Sequence, residues 1–180
     1  MTSDYIARQV RQLTERYGET DPERLCRAMN VLVLRQSMGR EENACKGFFL
    51  CKCRVRLIML NADLARLLQR IVLAHELGHA VLHSRLSAEA GFHDFSLFDE
   101  ASVCEYEANL FAAELLLSDE QVMEQLNDDP SFFHAARTLH VPPELLDFKF
   151  RLMNRRGYHL PLPLNAKSTF LQHLGRGGQF

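Results

Sequence analysis

The chain has 180 residues, 47% hydrophobic and 24% charged, with a formal net charge of −2, which suits one soluble domain with a sizeable core and excludes a broad attraction to nucleic acid. Its apolar runs are too short and interrupted to span a membrane, and Met1–Tyr17 carries charges throughout where a signal peptide would be apolar, so the chain is expected in the cytoplasm.

Ser3–Tyr17 alternates charged and apolar residues at helical spacing, with Ile6, Val10 and Leu13 on one stripe, and predicts a covering helix. Thr20-Asp21-Pro22-Glu23 reads as a helix start, with a capping residue, then proline, then an acid, for a short helix to about Met29. Val31–Leu34 predicts a buried strand, and the polar stretch Ser37–Cys45 a loop. Gly47–Leu60 reads as an antiparallel β-hairpin turning near Lys52–Arg54, although no glycine marks the turn. Cys45, Cys51 and Cys53 lie here, with Cys26 and Cys104 elsewhere; the odd count of five fits no disulfide framework and the spacing no common structural-zinc pattern, so reduced thiols are expected.

Asn61 is positioned to cap the next element, and one continuous helix is expected from about Ala62 to Ser84. Within it, Ile71–His83 (IVLAHELGHAVLH) leaves no polar face, so the segment is expected to be buried. His75, Glu76, His79 and His83 then need partners inside the fold, because an unsatisfied buried polar group costs roughly 2–7 kcal/mol. Residues four apart on a helix stand one above the other, so His75 and His79 can aim at one divalent ion, while Glu76 is turned aside. That is the His-Glu-x-x-His arrangement of a zinc site, in which the carboxylate takes a proton from a water activated by the ion and passes it to a leaving amine. His83 drifts off the ligand axis and is expected to bond to the following loop instead.

Ser87–Asp99 breaks the periodicity with GFHDFSLFD and predicts a loop over the site, Phe92–Phe98 gating access. Glu100–Leu117 returns to helical spacing, with Ala108, Ala112 and Ala113 allowing close approach to another helix. A catalytic zinc needs a third protein donor, and Glu105 and Glu107 are the candidates. Glu105 is preferred because Asn109, one turn later on the same face, can reach back to a ligand histidine. A third histidine of the His-x-x-Gly-x-x-His class is excluded, since Leu82 and Arg85 occupy the positions needing glycine and histidine.

Beyond Leu117, Ser118-Asp119-Glu120-Gln121 is a capping box opening a helix to about Leu126. Ser131–Leu139 and Pro143–Arg155 predict a helix pair with the outline of a helix-turn-helix, carrying Arg151, Arg155 and Arg156. Packing against the preceding domain is the preferred role for this pair, because no other basic surface accompanies it. The tail is rich in proline and glycine, with a last helix expected within Asn165–Leu174. The boundaries expected are a metal-binding domain at 1–126, a C-terminal helix pair at 127–157 and a partly flexible tail at 158–180.

LAHELGHAVLH, the preceding hairpin ending in Met59-Leu60-Asn61, and EYEANLFAAELLL in that order resemble the ImmA/IrrE family of metallo-endopeptidases, over roughly Val31–Leu117. The resemblance implies an α+β, small thermolysin-like (zincin) fold, with a short antiparallel sheet packed on the zinc helix. It also implies Zn2+ held by His75, His79 and Glu105, with Glu76 as general base. Asn109 stands where relatives often carry an acid, which implies weaker zinc binding, because an amide accepts from an imidazole but adds no negative charge. The expected partner is a protein substrate, by resemblance a helix-turn-helix repressor of a mobile element or stress regulon. An oxyanion-stabilising histidine or tyrosine is expected among Tyr106, His93, His134, His140, Tyr158 and His159. The alternative is a regulatory protein that retains zinc and sequesters its partner without cutting it.

Overall fold

The computed structural model describes residues 1–41, 44–84, 99–128, 131–164, 166–168 and 170–173. The first helix, α1 (Ser3–Tyr17), is capped by the Thr2 side chain, which accepts from the Tyr5 N–H, and closes on Gly18 in the left-handed region at φ 61. Ile6, Val10 and Leu13 form its buried stripe, as the spacing predicts. In α2 (Pro22–Ala28), Asp21 accepts from the Arg24 N–H and Pro22 takes the first turn, where its missing N–H costs nothing.

The strands are β1 (Leu32–Gln36), β2 (Gly47–Lys52) and β3 (Val55–Asn61), in the order β1-β3-β2. Only β2 and β3 pair antiparallel; β1 runs parallel to β3 with Leu32 opposite Leu57, so the sheet is mixed where an antiparallel one was expected. Nor is β1 a buried strand: Leu32 and Leu34 are exposed. The run Val31–Leu34 is apolar throughout, but an edge strand with one covered face buries only alternate side chains. The hairpin turns on Cys53 and Arg54, both left-handed at φ 51 and 66, the geometry of a two-residue turn that usually recruits Asn-Gly. Cys53 therefore lies in the turn, outside the strand that carries Cys51.

Helix α3 spans Arg66–Leu82, starting later than expected and without a side-chain cap. Asn61 has another task. Fully buried at the end of β3, it accepts from the backbone N–H groups of Met38 and Asp63 and donates to the carbonyls of Gly39 and Cys45, tying the loop after β1 to the sheet. The sheet lies close against α3, since a Cβ on Gly47 would stand 2.7 Å from Val72 Cγ1.

Helix α4 (Asp99–Leu116) packs across α3, and Gly78 sets the spacing: a Cβ there would stand 3.2 Å from the Ala108 Cα and 3.2 Å from Phe111 Cβ. Helices α5 (Asp119–Asp128), α6 (Phe132–Thr138) and α7 (Pro143–Arg155) follow, with a 3-10 turn at Phe170–His173 inside the stretch expected to be helical. The capping box before α5 is present, as Ser118 Oγ accepts from the Gln121 N–H and Gln121 Oε1 from the Ser118 N–H, both at 3.1 Å. Helix α7 is buried on nearly every side through Leu145, Leu146, Phe148, Phe150, Leu152 and Met153 and packs on α4 and α1. Three cations on and just beyond it are engaged, Arg151 bonding Asp147 while Lys149 and Arg156 both bond Glu114 and Asp119, and Arg155 is exposed. The fold is thus α+β, seven helices and a three-stranded sheet among the described residues. The loop expected at Ser87–Asp99, with its Phe92–Phe98 gate and His93, lies outside them except for Asp99. No helix among the described residues is long and apolar enough to cross a membrane.

Candidate metal centre

The contact of α3 with α4 brings the separated motifs together. Because Gly78 and Ala108 let the helices approach, His75 and His79 on one face Glu105 on the other across a few ångströms. His75 Nε2 is 3.2 Å from Glu105 Oε2, His79 Nε2 is 3.3 Å from Glu105 Oε1, and the two Nε2 atoms are 3.1 Å apart. One donor atom from each lies within 4.8 Å of the others, the single group of this kind among the described residues, and no cysteine joins it. Two imidazoles and a carboxylate are a donor set suited to zinc with an open fourth position. Burial would raise the Glu105 carboxyl, but the adjacent imidazoles of His75 and His79 outweigh it and hold the group well below the usual carboxylate range.

The structure also tests whether His75 offers its lone pair. Its Nδ1 lies 2.8 Å from Asn109 Oδ1, and Asn109 Nδ2 donates to the Ser168 carbonyl at 2.6 Å. Because the amide nitrogen is spent on Ser168, the amide oxygen faces His75 and Nδ1 must donate, leaving the Nε2 lone pair toward Glu105. The reach of Asn109 was expected from its spacing. Ser168 was not, since nothing in a polar tail indicates where it docks.

Glu76 is buried close enough to the cluster for the charges of His79 and Glu105 to act on it, and the Phe49 N–H of β2 donates to its carboxylate. Burial pushes its carboxyl up to about 7, with Glu105's charge adding to the rise while His79 and the Phe49 N–H oppose it. A carboxyl titrating near neutrality can both accept and return a proton. Phe49, within the predicted hairpin, thus contributes its backbone to the site.

Glu107, the alternative ligand, faces elsewhere: its Oε2 lies 2.9 Å from His83 Nε2, and its Oε1 meets the Met1 ammonium. His83 is accordingly bonded to Glu107, and its Nδ1 lies 3.1 Å from His79 Nδ1; the loop expected to hold it lies, apart from Asp99, outside the described residues. Burial, aided by His79, brings its pKa down to about 4. Among the oxyanion candidates, Tyr106 packs edge-on against Phe148 at 5.5 Å, with Arg151 over its ring, while His134, His140 and His159 are exposed.

Helices carrying a His-Glu-x-x-His pair and a crossing glutamate define a candidate metallopeptidase. The family comparison agrees: the model described as the IrrE N-terminal-like domain, Peptidase M78, matches residues 26–151, and the chain belongs to this ImmA/IrrE family. An "Uncharacterized immunity region protein 2" of Bacillus phage phi105 is 32% identical over 140 residues, 78% of this chain and 85% of that protein. "Metallopeptidase ImmA" of Bacillus subtilis (strain 168) is 28% identical over 160 residues, 82% of this chain and 85% of its own.

Proposed function

We propose that the chain is a zinc-dependent endopeptidase with a thermolysin-like active-site architecture, acting in the cytoplasm on a specific protein. The observation carrying this reading is the convergence of His75, His79 and Glu105 beside a Glu76 whose carboxyl lies near neutrality. His75, His79 and Glu105 hold the ion, which when bound polarises a carbonyl and acidifies a water at neutral pH. Glu76 accepts the proton on its carboxylate and delivers it to the leaving nitrogen, oriented for both by the Phe49 N–H. The edge of β2 next to Glu76 takes the substrate backbone as an added strand.

Residues 1–126 form the peptidase unit in this reading, and 127–157 a helix pair that supports it. The substrate class is a helix-turn-helix repressor of a mobile element or stress regulon, a reading supported by the relative named for a phage immunity region. Zinc analysis and an absorption-edge anomalous map at saturating zinc test the ligands, with one zinc expected in wild type and, held less tightly, in Glu107→Ala, and none in Glu105→Ala. Cleavage is then followed by mass spectrometry on helix-turn-helix proteins of the source genome, with Glu76→Gln expected to keep zinc and lose cleavage. Zinc binding without any cleavage by wild type would favour the sequestering protein; absence of zinc would overturn the hydrolase.

A further inference from the structure

Among the described residues, His79 differs from His75 in meeting no amide or carboxylate at Nδ1, which faces another histidine. Resting on the metal site proposed above, we infer that Glu107 and His83 are positioning residues: the Glu107 carboxylate fixes the proton arrangement of His83, and through it the tautomer that lets His79 offer Nε2 to the metal. A carboxylate only accepts, so at 2.9 Å His83 Nε2 must donate to Glu107 Oε2. Two ring nitrogens 3.1 Å apart share one hydrogen, and a His79 that gives Nε2 to a metal keeps its hydrogen on Nδ1, so His83 Nδ1 accepts from it, the arrangement that the His83 Nε2–H bond to Glu107 favours. With its hydrogen on Nδ1, His79 presents a bare Nε2, the atom 3.1 Å from His75 Nε2 and 3.3 Å from Glu105.

Each link is held by burial, the Glu107 and His83 side chains being only 5% and 3% exposed, so water offers no ready alternative partner. The two arms of the site are therefore built differently. His75 is oriented by an amide whose direction Ser168 sets, whereas His79 is oriented by a carboxylate two hydrogen bonds away. The negative charge missing at position 109 is present at position 107, relayed to the other ligand. Glu107 thus has a role distinct from the ligand alternative considered for it from sequence.

The test is zinc affinity of the full chain by competition with a chromophoric chelator, read alongside the visible spectrum of the cobalt-substituted protein and 15N shifts of His79. Glu107→Gln is isosteric but can donate toward His83, so the proton arrangement is no longer dictated. It is expected to weaken zinc by roughly 10–100-fold, the usual effect of losing such a partner, and to mix the His79 tautomers of the metal-free protein. In a His83→Phe background, Glu107→Gln should add no further loss, whereas Asn109→Ala should add its full effect, because it acts on His75. His83→Asn, whose amide oxygen can accept from His79 directly, should recover much of the affinity lost in His83→Phe. Equal zinc affinity and an unmixed tautomer in a folded Glu107→Gln, or additive losses with His83→Phe, would overturn the inference while leaving the metal site standing. Failure of wild type itself to bind zinc would overturn both.

Discussion

Gly78 lies between the two histidines, and substituting alanine sets two physical effects against each other. Alanine in a helix interior is favoured over glycine by about 0.8–1.0 kcal/mol, so on propensity alone Gly78→Ala stabilises the chain. Against this, the added methyl stands 3.2 Å from the Ala108 Cα and from Cβ and Cδ1 of Phe111, closer than the optimal carbon separation of about 3.5–4.0 Å. Ala108 presents backbone, which no rotamer change can move, and Ala108, Phe111 and Ala112 are fully buried, so relief requires α4 to retreat as a body. Overpacking of this kind costs roughly 1–3 kcal/mol, leaving a net loss of about 1 kcal/mol and a melting temperature lower by about 2–4 °C at this size. Because Glu105 rides on α4, its oxygens, now 3.2 and 3.3 Å from the histidine nitrogens, withdraw with it, and zinc affinity falls too. Thermal denaturation of the metal-free protein and chelator competition measure the two effects separately. A raised melting temperature with unchanged affinity would refute the claim that the interhelix spacing at Gly78 sets the site geometry.

Asn109→Asp should tighten zinc, by placing charge behind His75, yet lower stability by roughly 1–3 kcal/mol, because the Ser168 carbonyl at 2.6 Å loses its donor; chelator competition and denaturant melts should move in opposite directions. Lys149→Ala strips the 1%-exposed ammonium from between Glu114 and Asp119, both 2.7 Å away, and should cost roughly 3–5 kcal/mol; a loss below about 1 kcal/mol would show that Arg156 suffices for both carboxylates. The same cluster governs acid stability. Burial raises the Glu114 carboxyl, but Arg156 and Lys149 outweigh it and hold it below its ordinary 4.5, so its contribution is complete above that pH and lost as the pH falls through the lowered folded value. Melts across this acid range should show a shallower slope in Lys149→Ala than in wild type. Burial, with Glu23 and Asp21 adding to it, pushes the Cys26 thiol up to about 12, so iodoacetamide at pH 8 should label exposed Cys45 and Cys53 in the native protein and Cys26 only after unfolding.

Local rules carried the sequence reading where the cause was local. The stripe of α1, the proline-led start of α2, the capping box at Ser118 and the four-residue spacing of His75 and His79 each follow from interactions within about one helical turn. The one-turn spacing of Glu105 and Asn109 likewise has a local cause, and both meet His75 while Glu107 meets His83. Where a residue's role was set by a distant partner, the sequence offered no signal. Asn61 looked like a helix cap and instead ties a loop to the sheet; β1 looked buried because an apolar run cannot report whether both its faces are covered. Tertiary structure alone decided that β1 runs parallel to β3, that Phe49 offers its N–H to Glu76, that Ser168 orients Asn109 and that Glu107 stands behind His83. Each of these joins residues far apart in the chain, and their meeting depends on the packing of the whole core, a global property that no window of sequence contains.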